Sequence, residues 1–387
     1  MSPRKSSRPR LALFAGLAIV GVIAGGAYGA LNATGKPQWT QRASGSQPQA
    51  SASAQPEPSQ GVQAAAAEAI TLAATGDNVM GGPGNWPANN GRDIYKKVTP
   101  LLKGDLVMGN LEEPVTVDTG YQKCSPTSTQ CHQFYAPPSW AKYLKDAGYQ
   151  LMNMANNHGN DMGAAGYRNT QKSLEAVGLK HTGAPGQITV ADVEGVKVAV
   201  VGFSSYAWNN SVVNISKAKE LIKKAGERAD LVVVQVHMGA EGTAYTHVRK
   251  GSEIFLGENR GDPIAFSHAM IDAGADLIVG HGPHVLRAME FYKGRLIAYS
   301  LGNFIGGGRT LKPDGILGYG GVLKVQLAKD GTWVGGTFES TRMDSGGIPA
   351  PDSARNGAKT VSNLSKTDFP ASGVKIDAGG KIVPPAA

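Results

Sequence analysis

The sequence predicts an α/β protein with two packed sheets flanked by helices. Apolar runs alternate with helical patterns, and their near-continuous Val, Leu and Ile content is typical of buried, largely parallel strands. Five of these runs end at Asp, Glu, Asn or His: ITLAATGD, DLVMGNLE, LMNMANNHG, LVVVQVHMG and DLIVGHGPHV. Because the carboxyl ends of the strands share one edge of an open α/β sheet, and ligands bind there, we expect these polar residues to converge on one site.

Five helical patterns accompany the strands. The second begins with a proline in its first turn, and the second and third end at glycine, as helices commonly do. The predicted helices span residues 92–103, 138–147, 164–177, 217–225 and 263–273. The later runs VKVAVVGFS, RLIAYSLGNF and GGVLKVQLAKDGTWVGGTFES predict a second sheet, and the last run reads as a hairpin that turns at residues 329–331.

The amino terminus predicts a membrane anchor. A basic head at residues 1–10 precedes an uncharged apolar segment at residues 11–31, which is long enough to cross a hydrocarbon core of about 30 Å. Basic residues stay on the cytoplasmic side, so we expect a single-pass protein of the cell membrane with an extracytoplasmic carboxyl-terminal domain. The alternative is a cleaved signal peptide with a weak site at Ala27-Tyr28-Gly29, which would give a secreted protein.

Composition divides the rest of the chain into three parts. Residues 32–69 are rich in Ser, Gln, Ala, Pro and Gly and predict a disordered linker, because they cannot bury enough apolar surface. We predict a folded domain at residues 70–343 and a Gly/Pro/Ser-rich tail at residues 344–387. The net charge is +8, of which the basic head supplies four, leaving 8 − 4 = +4 for the remainder. No Lys/Arg stripe with interleaved aromatic residues is present, so nucleic acid is not a predicted partner.

The two cysteines, Cys124 and Cys131, admit two interpretations. An oxidising compartment favours a disulfide between them, closing a short loop. The alternative is a metal site formed with His132, but the C-x6-C-H spacing matches no standard zinc pattern.

The residues at the strand ends are typical of a catalytic metal site. Imidazole nitrogens, carboxylates and an Asn oxygen suit one or two divalent ions of manganese, iron or zinc, and the absence of thiolates argues against a closed structural zinc site. Such an ion can polarise a phosphoryl oxygen, and a nearby imidazole can protonate the leaving oxygen. The candidate ligands are Asp77, Glu112, Asn157, His237, His281 and His284, and the candidate acid is His158. Asn110, Glu241 and Arg260 are candidate substrate-binding residues, although the stretch around Arg260 also fits a solvated loop.

Six motifs in this order carry a family resemblance: TGD, NLEEP, ANNHGNDMG, VHMGAE, GHGPHV and IAYSLGNF. The sequence resembles the CapA / PgsA-type capsule (poly-γ-glutamate) biosynthesis proteins, of the calcineurin-like metallophosphoesterase superfamily. The resemblance covers about residues 70–310. It implies a four-layer αββα metallophosphoesterase-like sandwich, which here would follow the predicted transmembrane helix.

The resemblance also assigns roles to individual residues. Asp77 resembles the first-strand Asp, Glu112 stands where the superfamily has a bridging Asp, and Asn157 and His158 resemble its ligand Asn and catalytic acid. The remaining ligands, His237, His281 and His284, resemble the later His ligands, although the last two are separated by two residues instead of one.

The first motif departs from the superfamily pattern. It is normally Asp-x-His, and here Val79 occupies the His position. Because Val cannot bind metal, we expect one tightly held ion, or a second that binds only with substrate.

Three functions are consistent with the sequence. The first is a membrane-tethered, metal-dependent phosphoesterase that acts on an envelope phosphoester. The second is a non-catalytic component of a capsule or polyglutamate synthesis and export complex, which binds an anionic polymer or partner proteins. The third is a polymer-binding module with a vestigial site. The missing first-motif His favours the second and third, and the retained ligands favour the first.

Overall fold

The computed structural model describes residues 69–386. Residues 1–68 lie outside the described residues. They include the predicted basic head, the apolar segment and all but the last residue of the predicted linker. None of the helices within residues 69–386 is both long and apolar enough to cross a membrane.

Nineteen strands and five α-helices form the described part of the chain. The strands are β1 Ile70–Val79, β2 Leu106–Leu111, β3 Leu151–Asn153, β4 Lys180–Thr182, β5 Thr189–Val193, β6 Val196–Ser204, β7 Asn210–Ser211, β8 Leu231–His237, β9 Ile254–Phe255, β10 Glu258–Asn259, β11 Leu277–His281, β12 Met289–Tyr292, β13 Arg295–Ala298, β14 Asn303–Gly306, β15 Tyr319–Leu327, β16 Trp333–Met343, β17 Pro349–Pro351, β18 Lys375–Ile376 and β19 Ile382–Val383. The helices are α1 Ala141–Ala147, α2 Gly163–Ala176, α3 Ile215–Gly226, α4 Pro263–Asp272 and α5 Asn356–Asp368. Short 3-10 turns occur at Ala88–Gly91, Thr99–Leu101, Pro138–Trp140, Gly307–Arg309 and Gly315–Gly318.

Most strands belong to two large sheets. The first has the order β17-β16-β15-β1-β2-β3-β4, with β14 paired to β1, and its strands β1 to β4 run parallel. The second has the order β12-β13-β11-β8-β6-β5, with β7 paired to β6, and its strands β6, β8, β11 and β13 run parallel. The remaining strands form two-stranded ribbons, β9–β10 and β18–β19.

The predicted division of strands between the sheets was wrong. The run VKVAVVGFS and the first residues of RLIAYSLGNF pair in the same sheet as β8 and β11, whereas the hairpin β15–β16 pairs with β1. The hairpin itself is confirmed, with an antiparallel ladder on either side of the predicted turn. Buried strands of both sheets have the same Val/Leu/Ile composition, so composition does not indicate which strands become neighbours.

Three apolar clusters define the layers. One lies between the sheets and contains Leu72 of the first and Val233 of the second. Another covers the outer face of the first sheet, where Leu144 of α1 packs, and the third covers the outer face of the second sheet, where Ile222 of α3 packs. This order of helix, sheet, sheet and helix agrees with the predicted pair of packed sheets flanked by helices.

Four of the five predicted helices are present as α1 to α4. Residues 92–103, predicted as the first helix, instead form turns and the short 3-10 segment at Thr99–Leu101. Pro100 lies in that segment, lacks a backbone N–H and would clash with the carbonyl four residues earlier in an α-helix, so it disfavours a helix that runs on to Lys103.

The folded body extends beyond its predicted boundary. Residues 344–387 were predicted as a tail, but they contain β17, α5, β18 and β19. Val361, Ile376 and Ile382 are buried in the cluster between the sheets. The prediction of a body ending at residue 343 was therefore wrong. The many Gly, Pro and Ser residues hid a few apolar positions that complete the core.

A disulfide joins Cys124 and Cys131, as predicted from the compartment. Cys131 is among the residues that line the cavity described below.

Candidate metal centre

The candidate ligands meet where the carboxyl ends of the two sheets face each other. Asp77 of β1 lies in register with Asn110 of β2 in the first sheet. His237 of β8 lies in register with His281 of β11 in the second sheet. The predicted convergence at strand ends is therefore present, but it joins two sheets and not one edge of a single sheet.

Gly76 allows the backbone approach that places Asp77. A Cβ at Gly76 would lie 1.9 Å from the carbonyl oxygen of Gly302, so no larger residue fits at this position. The Asp77 N–H donates to the same carbonyl at 2.9 Å. The T-G-D motif thus fixes the Asp77 carboxylate between the sheets.

The ligand atoms form a compact group. One atom each from Asp77, Glu112 and His237 lie within 4.8 Å of one another, and all three residues are buried. His284 lies between the two carboxylates, with Nδ1 3.3 Å from Asp77 Oδ2 and Nε2 3.5 Å from Glu112 Oε1. The Nδ1 atom of His281 is 3.7 Å from Asp77 Oδ1.

Several of these buried atoms have no hydrogen-bond partner among residues 69–386. They are both carboxylate oxygens of Glu112, both ring nitrogens of His237, Nδ1 of His281 and Oδ1 of Asn157. Buried polar groups are normally paired, and leaving them unpaired is costly. Carboxylate oxygens and imidazole nitrogens left free close together, as in Glu112 and His237, are the donor set that a divalent cation requires. The residues present therefore fit a metal ion.

Burial and mutual charge shift the ionisation of the group. Burial raises the pKa of Glu112 well above its ordinary value, and the neighbouring Asp77 raises it further. Burial alone would also raise the pKa of Asp77, but a hydrogen bond from His284 and the charges of the three histidines outweigh it and lower that pKa. Burial lowers the pKa of His237 well below its ordinary value and that of His281 to about 4. For His284, the carboxylates of Glu112 and Asp77 overcome burial and raise the pKa.

The loop GHGPH aims its second imidazole by an unusual backbone conformation. His284 has a φ of 57° and Gly282 a φ of 108°, both in the region that favours glycine. Nδ1 of His284 also lies 2.8 Å from Oδ1 of Asn303. Asn303, the first residue of β14, therefore orients a candidate ligand.

Asn110 has a different role from the one predicted. It is fully buried and is not among the residues that line the cavity described below. Its amide donates to Asp77 Oδ1 at 2.8 Å, and its Oδ1 accepts from Asn153 and Asn156 at 3.0 and 3.1 Å. With these contacts made, Asn110 orients Asp77 and is not a substrate contact.

A cavity of about 430 Å³ adjoins the ligand group, and Asn157, His158, Glu241 and Arg260 are among its lining residues. Nη1 of Arg260 lies 2.8 Å from Glu241 Oε1, and Oε2 of Glu241 lies 3.8 Å from Nε2 of His284. Glu241 thus connects the cavity to the candidate ligand His284, and both predicted substrate-binding residues that line the cavity are charged.

His158 is held in this cavity by residues that the sequence interpretation did not single out. Its Nδ1 lies 2.7 Å from Oδ2 of Asp161, which also accepts from the Phe134 N–H at 2.7 Å. Nζ of Lys123, next to the disulfide, donates to Asp161 Oδ1 at 2.6 Å and to the Asn157 carbonyl at 3.2 Å. Burial lowers the pKa of His158, and Asp161 partly opposes that effect. The spacing of Asp161 three residues after His158 was the available signal, whereas nothing in the sequence indicated Lys123.

Known proteins similar to this chain share its central region. The family model described as "Bacterial capsule synthesis protein PGA_cap" matches residues 71–307. The capsule biosynthesis protein CapA of Bacillus anthracis is 36% identical over 268 residues, which cover 62% of this chain and 60% of that protein. The PGA biosynthesis protein CapA of Bacillus subtilis (strain 168) is 33% identical over 270 residues, which cover 65% of this chain and 64% of that protein. The match thus spans less than two thirds of either relative.

Among solved structures, a 5'-nucleotidase precursor from Thermus thermophilus aligns with a TM-score of 0.39 at 13% identity, over 78% of this chain and 59% of that one. A likeness at this level supports no conclusion about activity. The family model, in contrast, covers more than half of the 387 residues and includes every candidate ligand. The chain therefore belongs to the bacterial capsule synthesis protein family PGA_cap.

Proposed function

We propose that this protein is a metal-dependent phosphoester hydrolase of capsule or poly-γ-glutamate biosynthesis. One observation carries the proposal. Buried ligand atoms of Asp77, Glu112 and His237 lie together, and the carboxylate oxygens of Glu112 and both ring nitrogens of His237 have no hydrogen-bond partner among the described residues. The cavity next to them contains His158, an imidazole oriented by a buried carboxylate. A ligand set beside a candidate proton donor is what phosphoester hydrolysis requires.

The six predicted ligands would hold one or two ions of manganese, iron or zinc. Such an ion supplies Lewis-acid polarisation of a phosphoryl oxygen. The residues around it perform the remaining tasks. Arg260, whose guanidinium can bind two oxygens at once, binds the anionic group of the substrate, and Glu241 holds Arg260 in place.

His158 donates the proton to the leaving oxygen. Asp161 lies at hydrogen-bond distance from Nδ1 of the ring and opposes the lowering of the His158 pKa by burial. Lys123 fixes Asp161 from its other oxygen, so the pair keeps one orientation. In its protonated form the ring can donate the Nε2 proton to the leaving oxygen of a substrate bound at the ligands.

The family supplies the biological setting of the proposal. The two Bacillus relatives are named as capsule and PGA biosynthesis proteins. We infer that this chain acts in the same kind of process, on an envelope phosphoester or an anionic polymer, within a synthesis complex. Residues 11–31 would tether it to the cell membrane, with the catalytic domain outside the cytoplasm.

One observation favours a non-catalytic alternative, in which the same domain binds polymer or serves as a scaffold. Val79 replaces the His of the Asp-x-His motif and is fully buried. A second ion would therefore lack one ligand on this side of the site.

Metal analysis of the purified full chain separates the two functions. We expect about one or two equivalents of manganese, iron or zinc without added metal, together with hydrolysis of bis-p-nitrophenyl phosphate. His158→Asn should keep the metal and lose about 100-fold or more in kcat, as expected for a general acid. A chain that contains no metal, and regains none on titration with these ions, would support the binding alternative.

A further inference from the structure

The ribbon β9–β10 ends in a turn whose first residue is unusual. The turn residues Leu256 and Gly257 have φ values of 48° and 81°. Two-residue hairpin turns with positive φ at both positions strongly prefer Asn, Asp or Gly at the first, because a larger side chain is strained there. Leu256 is the only apolar residue among the described non-glycine residues with positive φ.

Leu256 is also exposed. At 64% it has the largest exposed fraction of any large hydrophobic side chain in residues 69–386. The residue thus has an unfavourable backbone conformation and leaves its apolar surface in water, and packing compensates for neither. Strained residues of this kind cluster at ligand-binding sites.

Polar contacts fix the ribbon at the cavity. Oε2 of Glu258 accepts from the Tyr206 hydroxyl at 2.6 Å and lies 3.0 Å from Nε of Arg260. The guanidinium of Arg260 lies 5.5 Å from the centre of the Phe255 ring. The base of the ribbon is therefore held, and the tip has a defined position.

The tip and the candidate proton donor line the same cavity. Leu256, Phe255 and Trp208 line it together with Asn157 and His158. We propose that Leu256, Phe255 and Trp208 form an apolar subsite that binds an alkyl group of the substrate, next to the anionic group at Asn157 and His158. The substrate class is then an anionic ester with an apolar chain. That the anionic group is a phosphoester rests on the proposed function.

Chain-length dependence of binding tests this subsite. The probes are methyl-, ethyl-, propyl- and butylphosphonate, with the alkylcarboxylates of the same lengths as a second series, measured by calorimetry on the full metal-loaded chain. In the unchanged protein, Kd should fall by up to about fourfold for each added methylene. Leu256→Asn should flatten this dependence while keeping or raising the thermal midpoint, because Asn suits the turn.

Val117→Asn is the matched control, because Val117 is also exposed and does not line this cavity. It should leave the chain-length dependence intact. Equal dependence in Leu256→Asn and the unchanged protein, or none in the unchanged protein, would overturn the subsite. An effect of Leu256→Asn seen only with lipid vesicles, and not with the soluble series, would overturn it too. Dependence on Leu256 in the carboxylate series alone would support the subsite and contradict the phosphoester assignment.

Discussion

Glu112→Gln should stabilise the metal-free protein and reduce the additional stabilisation that metal provides. Glu112 is fully buried, its Oε1 lies 3.5 Å from Nε2 of His284 and 3.8 Å from Nε2 of His237, and neither of its oxygens has a hydrogen-bond partner in residues 69–386. Its folded pKa is raised well above the ordinary value, first by burial and then by Asp77. The folded metal-free protein is therefore destabilised as the pH rises above the unfolded pKa of about 4.3.

Gln cannot ionise and removes this penalty. For a buried group without a hydrogen-bond partner the penalty is about 1–3 kcal/mol, so the metal-free variant should gain about that much free energy of unfolding at pH 7. Metal at 100 times its Kd stabilises the unchanged protein by about 2.7 kcal/mol. If the lost carboxylate weakens metal binding about 100-fold, the same concentration stabilises the variant by RT ln 2, about 0.4 kcal/mol.

The assay is urea denaturation at pH 7, with chelator and with added manganese. Glu113→Gln is the control, since Glu113 is equally buried but accepts from the Met80 N–H at 2.6 Å and lies outside the ligand group. It should keep the full metal-dependent gain. The reasoning is refuted if Glu112→Gln leaves the metal-free protein no more stable, or if it retains the gain from manganese.

Three further predictions follow from the same geometry. Lys123→Met should lower kcat for phosphoester hydrolysis about 10–100-fold without loss of metal, because Lys123 orients the Asp161 carboxylate that contacts His158. Lys123→Arg should retain much of the activity. Equal rates for the unchanged protein and both variants would contradict this role. Arg287→Met should reduce the free energy of unfolding by about 3–5 kcal/mol, since its guanidinium is buried and contacts both oxygens of Glu253 at 3.0 and 2.9 Å. The exposed pair of Lys142 provides the control, and Lys142→Met should change stability in urea by no more than about 0.5 kcal/mol. Below pH 6.5, chelator-treated protein should lose stability as the pH falls, because His281 becomes protonated at a higher pH in the unfolded chain than in the folded protein. The His281 pKa is about 6.5 in the unfolded chain and about 4 in the folded protein, and this difference of 6.5 − 4 = 2.5 corresponds to about 3 kcal/mol. Unfolding curves of His281→Gln should lack that part of the loss.

The sequence indicated which residues form the site, but not which of the two sheets each residue belongs to. Asp77, Glu112 and His237 could be found because each ends or follows an apolar run, and the structure brings them together. Which strands become neighbours depends on pairing between distant segments, and the apolar runs of both sheets look alike. The assignment of the hairpin β15–β16 to the second sheet was wrong for this reason.

Residues that support others were hardest to predict. Asn110 was predicted to contact substrate, but its hydrogen bonds with Asn153 and Asn156 form only in the folded protein. Lys123 reaches Asp161 from a loop 38 positions away along the chain, and neither residue lies in a pattern that marks the contact. Local periodicity reports which face is buried, not which distant side chain completes a hydrogen bond.

The ligand group draws Asp77 and Glu112 from one sheet and His237 and His281 from the other, so a bound ion would be a cross-link between the two layers. The affinity of the site for that ion then depends on the spacing between the two sheets. Val233 is buried between the two sheets and is not a candidate ligand. We expect Val233→Ala to weaken binding of the ion, because the sheets can then shift relative to each other. Because coordination distances vary little, we expect a change in the size of one interior residue to be matched, in related proteins, by changes in the residues that pack against it from the other sheet.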